Sequence, residues 1–123
     1  MQTRPRVLLV DDHPGIVQAL SRVLAPACDV VGTIADGREA ADAAARLQPV
    51  VIVLDLNLPN VSGLDVCRQV TQNNPLAKVI VITAMADDAV RDEALAAGAS
   101  GFVHKSAAND LIVAIQRVWA APV

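Results

Sequence analysis

The chain contains no tyrosine, one phenylalanine and one tryptophan. Its interior must therefore be assembled from valine, isoleucine, leucine and alanine, and 54% of its residues are apolar. At 123 residues that supports one domain with a substantial core. Cysteine is nearly as scarce. Cys28 and Cys67 have no metal-ligand spacing and fall in apolar stretches, so they read as buried thiols in a reducing compartment rather than a disulfide. No apolar run is long enough to span a bilayer and no secretory feature is present, so the expected location is the cytoplasm, away from membrane. The 10 basic residues are outnumbered by 13 acidic ones, for a net charge of -3, which excludes a basic nucleic-acid footprint. There is no P-loop and no dinucleotide glycine fingerprint, which disfavours nucleotide binding. Internal repeats and low-complexity segments are likewise missing.

What is present is a regular alternation. Val7–Val10 is a short apolar strand that stops at Asp11-Asp12. His13-Pro14 opens a helix whose apolar face is Ile16, Val17, Leu20, Val23 and Leu24, and Pro26 ends it. Asp29–Ile34 reads as a second strand; Asp36 caps the next helix, which runs through Leu47 to the stop at Pro49. Val50–Leu54 is an unbroken apolar run, the pattern of a central strand buried on both faces, and it ends on Asp55. Ser62 caps a helix to about Gln72, broken by Asn73-Asn74-Pro75. Lys78–Ile82 is the fourth strand, ending at Thr83. An Ala-rich helix from about Asp87 to Ala97 finishes on Gly98, a good C-terminal cap. Gly101–Val103 is a short fifth strand ending near Lys105, and Ser106 caps a last helix with the face Leu111, Ile112, Ile115, Val118 and Trp119.

Five strands alternating with five helices at short spacing predict an α/β fold: a parallel sheet with helices on both faces and right-handed crossovers. Its strands all point one way, so Asp11, Asp12, Asp55, Thr83 and Lys105 gather at one edge, where such sheets place ligands and chemistry. A carboxylate at the end of a buried strand is costly unless compensated, so the charge of Asp55 is the one most in need of partners. Three carboxylates in a small space repel each other and call for a cation, and all-oxygen ligands with room for water suit Mg²⁺ or Mn²⁺. Lys105 adds a point charge for a carboxylate or phosphoryl oxygen, and Thr83 adds a hydroxyl. The sum is a phosphoryl-accepting site with Asp55 as nucleophile.

Four segments of the chain, taken in order, resemble the response regulator receiver domain, and the resemblance extends over essentially the whole length, 1–123. They are Leu9-Val10-Asp11-Asp12-His13-Pro14, Asp55 to Asp65, Ile82-Thr83-Ala84 and Ala97 to Lys105. The Asp-Asp-His-Pro opening and the Gly101-Phe102-Val103-His104-Lys105-Ser106 segment are most similar to the NarL/LuxR-type branch. The resemblance implies a flavodoxin-like sheet of order 2-1-3-4-5. It implies phosphorylation of Asp55 by a sensor histidine kinase, with Asp12 and Asp55 holding Mg²⁺ directly, Asp11 acting through water and Asn57 through its backbone carbonyl. It further implies that Thr83 and Lys105 grip the phosphoryl oxygens and that Thr83 and Phe102 form the switch. The chain would then be a phosphoacceptor that controls an output, most simply transcription, rather than an enzyme. Relatives in this branch carry a C-terminal helix-turn-helix, and none lies in this chain, whose Ala120-Ala121-Pro122-Val123 end reads as the start of a linker. A homodimer is compatible with the resemblance, and direct nucleic-acid binding by this domain is not expected.

Departures from the family pattern bear on these expectations. Ser106 stands where a proline is often found, Phe102 where tyrosine is common, and Met85 where many relatives are polar. Whether the Lys105–Ser106 peptide is cis is not set by the sequence, since a non-proline cis bond costs about 3 kcal/mol. His13 and His104 are accounted for by their helix-opening and loop positions rather than as metal ligands. Trp119 reads as a core or interface residue, and Leu111, Ile112 and Ile115 as packing residues first. Two other functions compete. A haloacid-dehalogenase-type phosphatase would want an aspartate two residues after Asp55, where Asn57 stands. A phosphorylation-independent protein-interaction scaffold would be expected to have lost the acidic pair, Asp55 or Lys105, and all remain.

Overall fold

A computed structural model describes residues 4–59, 61–84 and 87–119. Its elements follow one another as β1 (Arg6–Val10), α1 (Pro14–Leu24), β2 (Asp29–Ile34), α2 (Ala40–Leu47), β3 (Val51–Asp55), α3 (Gly63–Asn73), β4 (Lys78–Thr83), α4 (Asp88–Ala96), β5 (Gly101–His104) and α5 (Ala108–Trp119). The strands form one parallel sheet in the order β2-β1-β3-β4-β5. The predicted fold and strand order are both found.

Side-chain alternation divides the core into two layers. Leu8, Val10, Ile52, Leu54, Val79 and Val81 face α2, α3 and α4, while Val7, Leu9, Val51, Val53, Ile80 and Ile82 face α1 and α5. Cys67 lies in the first layer and Cys28 in the second, so the sheet stands between the two thiols. Both are free and buried, as expected. The first layer is completed by small side chains, among them Ala40, Ala43, Ala44, Ala94 and Ala97. The second is completed by large ones, Leu20, Leu24, Leu111 and Ile115.

Local signals placed most boundaries. Pro14 stands in the first turn of α1. The Ser62 hydroxyl accepts from the Asp65 N–H at 3.5 Å, and the Asp87 carboxylate accepts from the Val90 N–H at 2.8 Å. Gly98 has φ 108°, and a Cβ there would lie 2.7 Å from Thr71 Oγ1, so glycine is required both by conformation and by space. Three details depart from expectation. Asp36 caps a short 3₁₀ turn, Gly37–Glu39, that precedes α2, with its carboxylate accepting from the Arg38 N–H at 2.9 Å. Val50 is outside β3 and 36% exposed, because pairing with β1 begins at Val51. Ser106 does not cap α5, which starts two residues later at Ala108; its hydroxyl lies 2.6 Å from His104 Nδ1 instead. Trp119 ends α5 half-buried. Among the described residues every peptide bond is trans, including Lys105–Ser106. Asn60, Met85, Ala86 and the Ala120–Val123 end lie outside the described residues.

Candidate functional site

The sheet order brings the functional strand ends side by side. Asp11 and Asp12 follow β1, Asp55 is the last residue of β3, Thr83 the last of β4, and Lys105 follows β5. These are four neighbouring strands, and Asp55 and Thr83 sit in register within the ladder, paired with Ile82 and His104. Asp11 is held at the end of β1 by its N–H, which donates to the Ile34 carbonyl at 3.0 Å.

Asp55 is fully buried, so its charge must be met by neighbours. The Asn57 backbone N–H donates to Oδ1 and Lys105 Nζ donates to Oδ2, each at 2.9 Å. Lys105 is itself mostly enclosed, with its side chain 16% exposed, and its ammonium is also 3.7 Å from Asp11 Oδ2. Asp11 is 3% exposed, and its Oδ1 accepts from the His13 N–H at 2.9 Å. Burial pushes the Asp11 carboxyl above the usual carboxylate range, and the Asp55 charge adds to this; the His13 N–H and Lys105 oppose it.

Two buried carboxylate oxygens beside Asp55, Asp11 Oδ2 and Asp12 Oδ1, accept no hydrogen bond. Orphaned acceptors in that place are what a divalent cation would satisfy. Ligand atoms from Asp11, Asp12, His13 and Asp55 all lie within 4.8 Å of one another. The three aspartates anticipated from sequence are thus together. His13 lies beside them: it occupies the N-cap of α1, as its helix-opening assignment expects, its ring makes no capping bond, and Nδ1 lies 3.4 Å from Asp12 Oδ1.

A hollow of about 290 Å³ is lined among others by Asn57, Leu58, Thr83, Val90 and Glu93. Phe102 stands apart from the carboxylates. It pairs with Val81, is half-buried, and lines a groove with Val113 and Arg117 of α5. Behind Lys105 the two loops are laced together. The Lys105 N–H donates to the Thr83 carbonyl at 3.0 Å, and His104 Nε2 lies 3.0 Å from the Ala84 carbonyl. A carbonyl only accepts, so Nε2 carries the hydrogen and Nδ1 accepts from the Ser106 N–H at 3.1 Å and from its hydroxyl.

A family model for the response regulator receiver domain matches residues 7–116. The chain belongs to this family. Its receiver domain is 35% identical over 118 residues to the response regulator GacA of Pseudomonas protegens, an alignment covering 94% of this chain and 55% of that protein. It is 35% identical over 101 residues to the chemotaxis protein CheY of Thermotoga maritima, covering 81% of this chain and 84% of that one. Among solved structures, a two-component response regulator of the LuxR family from Aurantimonas superposes with a TM-score of 0.90 at 33% identity, over 96% of this chain and 86% of that one. The receiver domain of NarL from Mycobacterium tuberculosis gives 0.90 at 27% identity, over 98% and 100%. Kinship to the NarL/LuxR branch is thus found as expected. The chain spans about half the length of the GacA relatives it matches. Among the described residues no helix is long and apolar enough to cross a membrane.

Proposed function

We propose that this receiver domain accepts a phosphoryl group on Asp55 from a phosphohistidine of a sensor histidine kinase, and that the modified domain switches an output. The observation that carries this is the composition of one small volume: a fully buried aspartate, a lysine ammonium at 2.9 Å, and two orphaned carboxylate oxygens alongside. An Asp55 carboxylate oxygen attacks phosphorus as the phosphorus–nitrogen bond breaks; the bonding electrons leave with the imidazole nitrogen and an acyl phosphate forms. Mg²⁺, or Mn²⁺ in its stead, would be held by Asp12 and Asp55, with Asp11 through water and the Asn57 carbonyl, and supplies positive charge at the transferring group. Lys105 would pass from Asp55 Oδ2 to a phosphoryl oxygen, and Thr83, one strand over, would offer its hydroxyl to another. Phe102 would respond by repacking against α4 and α5, since its ring has no polar tip.

The domain is on this reading a reagent in its own modification, not an enzyme that turns over a separate substrate. A cytoplasmic regulator of transcription, with a helix-turn-helix output in a longer chain, is supported by similarity to GacA and to the LuxR-family structure. The test is intact mass after incubation with acetyl phosphate and Mg²⁺, beside an Asp55→Asn variant. One phosphoryl adduct, lost in base and absent from the variant, is the expected result. A folded wild-type protein that gains no adduct would leave the scaffold role instead.

A further inference from the structure

We propose that His13 is a nitrogen ligand of the acidic cluster, so that this site takes an imidazole-seeking transition ion of the Zn²⁺ class in competition with Mg²⁺. The inference rests on the reading of Asp11, Asp12 and Asp55 as a divalent-cation site and adds a ligand and a preference to it.

The argument begins with the backbone. A residue before proline is driven out of the helical region, and His13 before Pro14 is extended, with φ -93° and ψ 107°. That conformation serves the N-cap of α1, yet the ring makes no capping bond. The ring is turned toward the carboxylates, with Nδ1 3.4 Å from Asp12 Oδ1 and 3.7 Å from Asp11 Oδ1. Bonds of about 2.1 Å at tetrahedral angles put neighbouring ligands roughly 3.4 Å apart. The separations are therefore those of atoms sharing one small ion. The Asp11 side chain is almost wholly enclosed, with Oδ2 lacking a hydrogen bond, and Asp12 Oδ1 is orphaned too. The His13 side chain is 62% exposed, which leaves the nitrogen free to settle onto an incoming ion without disturbing the core.

Donor chemistry sets the preference. Carboxylate and water suit Mg²⁺, whereas imidazole favours Zn²⁺, Co²⁺ and Ni²⁺. Any oxygen cluster binds Zn²⁺ more tightly than Mg²⁺, so the informative quantity is the difference that His13 makes. Both ions would use the same carboxylates, and occupancy by one excludes the other.

The chain has two histidines, His13 and His104, so ring-nitrogen NMR gives two readable sets of signals. Zn²⁺ added to the uniformly ¹⁵N-labelled protein should displace the His13 Nδ1 resonance by direct coordination, well beyond the smaller through-space shift that Mg²⁺ causes, and leave His104 in place. In competition titrations, His13→Ala should weaken Zn²⁺ by about tenfold or more and alter Mg²⁺ by less than about twofold. His13→Asn, which keeps a good N-cap, should do the same and guards against an effect on α1. A His13 resonance unmoved by Zn²⁺, or equal weakening of both ions in the variants, would overturn the nitrogen ligand while leaving the cation site standing. Failure of the wild-type protein to bind either ion would overturn the cation site and this inference with it.

Discussion

Asp11 shows what the site costs the fold. Burial raises its carboxyl above the ordinary value of 3.8, so the folded chain holds that proton more tightly than the unfolded chain. As pH rises through the interval between the two values, the unfolded state releases its proton first, and stability from this group falls and stays lost at neutral pH. Asp11→Asn is therefore expected to stabilise the metal-free protein at neutral pH by about 1 kcal/mol, with the gain shrinking in acid. The same variant should lose stabilisation by Mg²⁺. Thermal melts at two pH values, with and without Mg²⁺, check both halves. At this scale the aspartates and Lys105 were legible because each terminates an apolar strand, where an uncompensated charge is too costly to be incidental. His13 was not. Its backbone role at the start of α1 accounted for it in sequence, and the 3.4 Å approach of its ring to Asp12 is visible only in the structure.

Elements were easier to read than their edges. Short apolar runs identified every strand, and Ser62, Asp87 and Gly98 marked helix ends through ordinary capping chemistry. The start of α5 was misplaced because a serine hydroxyl has two local uses, capping a helix or binding a neighbouring side chain. Here the His104 ring offered the better partner. The approach of α3 to the loop after β3 was invisible in sequence. A Cβ on Gly63 would lie 2.5 Å from both the Cα and the carbonyl oxygen of Leu56. Gly63→Ala must therefore displace the segment whose next N–H, that of Asn57, holds Asp55. It should destabilise the domain by about 1–3 kcal/mol, the usual cost of overpacking, and slow phosphoryl uptake as well. Urea unfolding and the acetyl phosphate reaction measure the two effects; a change in stability alone would show that the loop absorbs the methyl without moving Asp55.

For the molecule as a whole, the sheet is a partition with unlike sides. Cys28 and Cys67 lie in opposite layers, and burial pushes the Cys67 thiol up to about 11 and the Cys28 thiol upward too. Both should resist a disulfide reagent in the folded state, reacting at rates that follow unfolding as denaturant is added; fast reaction of either without denaturant would contradict the packing. The layer under α2, α3 and α4 is lined by alanine, and the one side chain α4 buries in it is that of Ala94. Leu95, next along α4, is 46% exposed. A nine-residue helix that buries one methyl group fully and Val90 only in part has little apolar area to lose on lifting away. Its amide hydrogens should accordingly exchange with solvent sooner than those of α5, whose Leu111 and Ile115 are fully enclosed. The free energy needed to shift a population is only the difference between its states, and a weakly fastened segment keeps that difference within reach of one small chemical event at the far end of a strand.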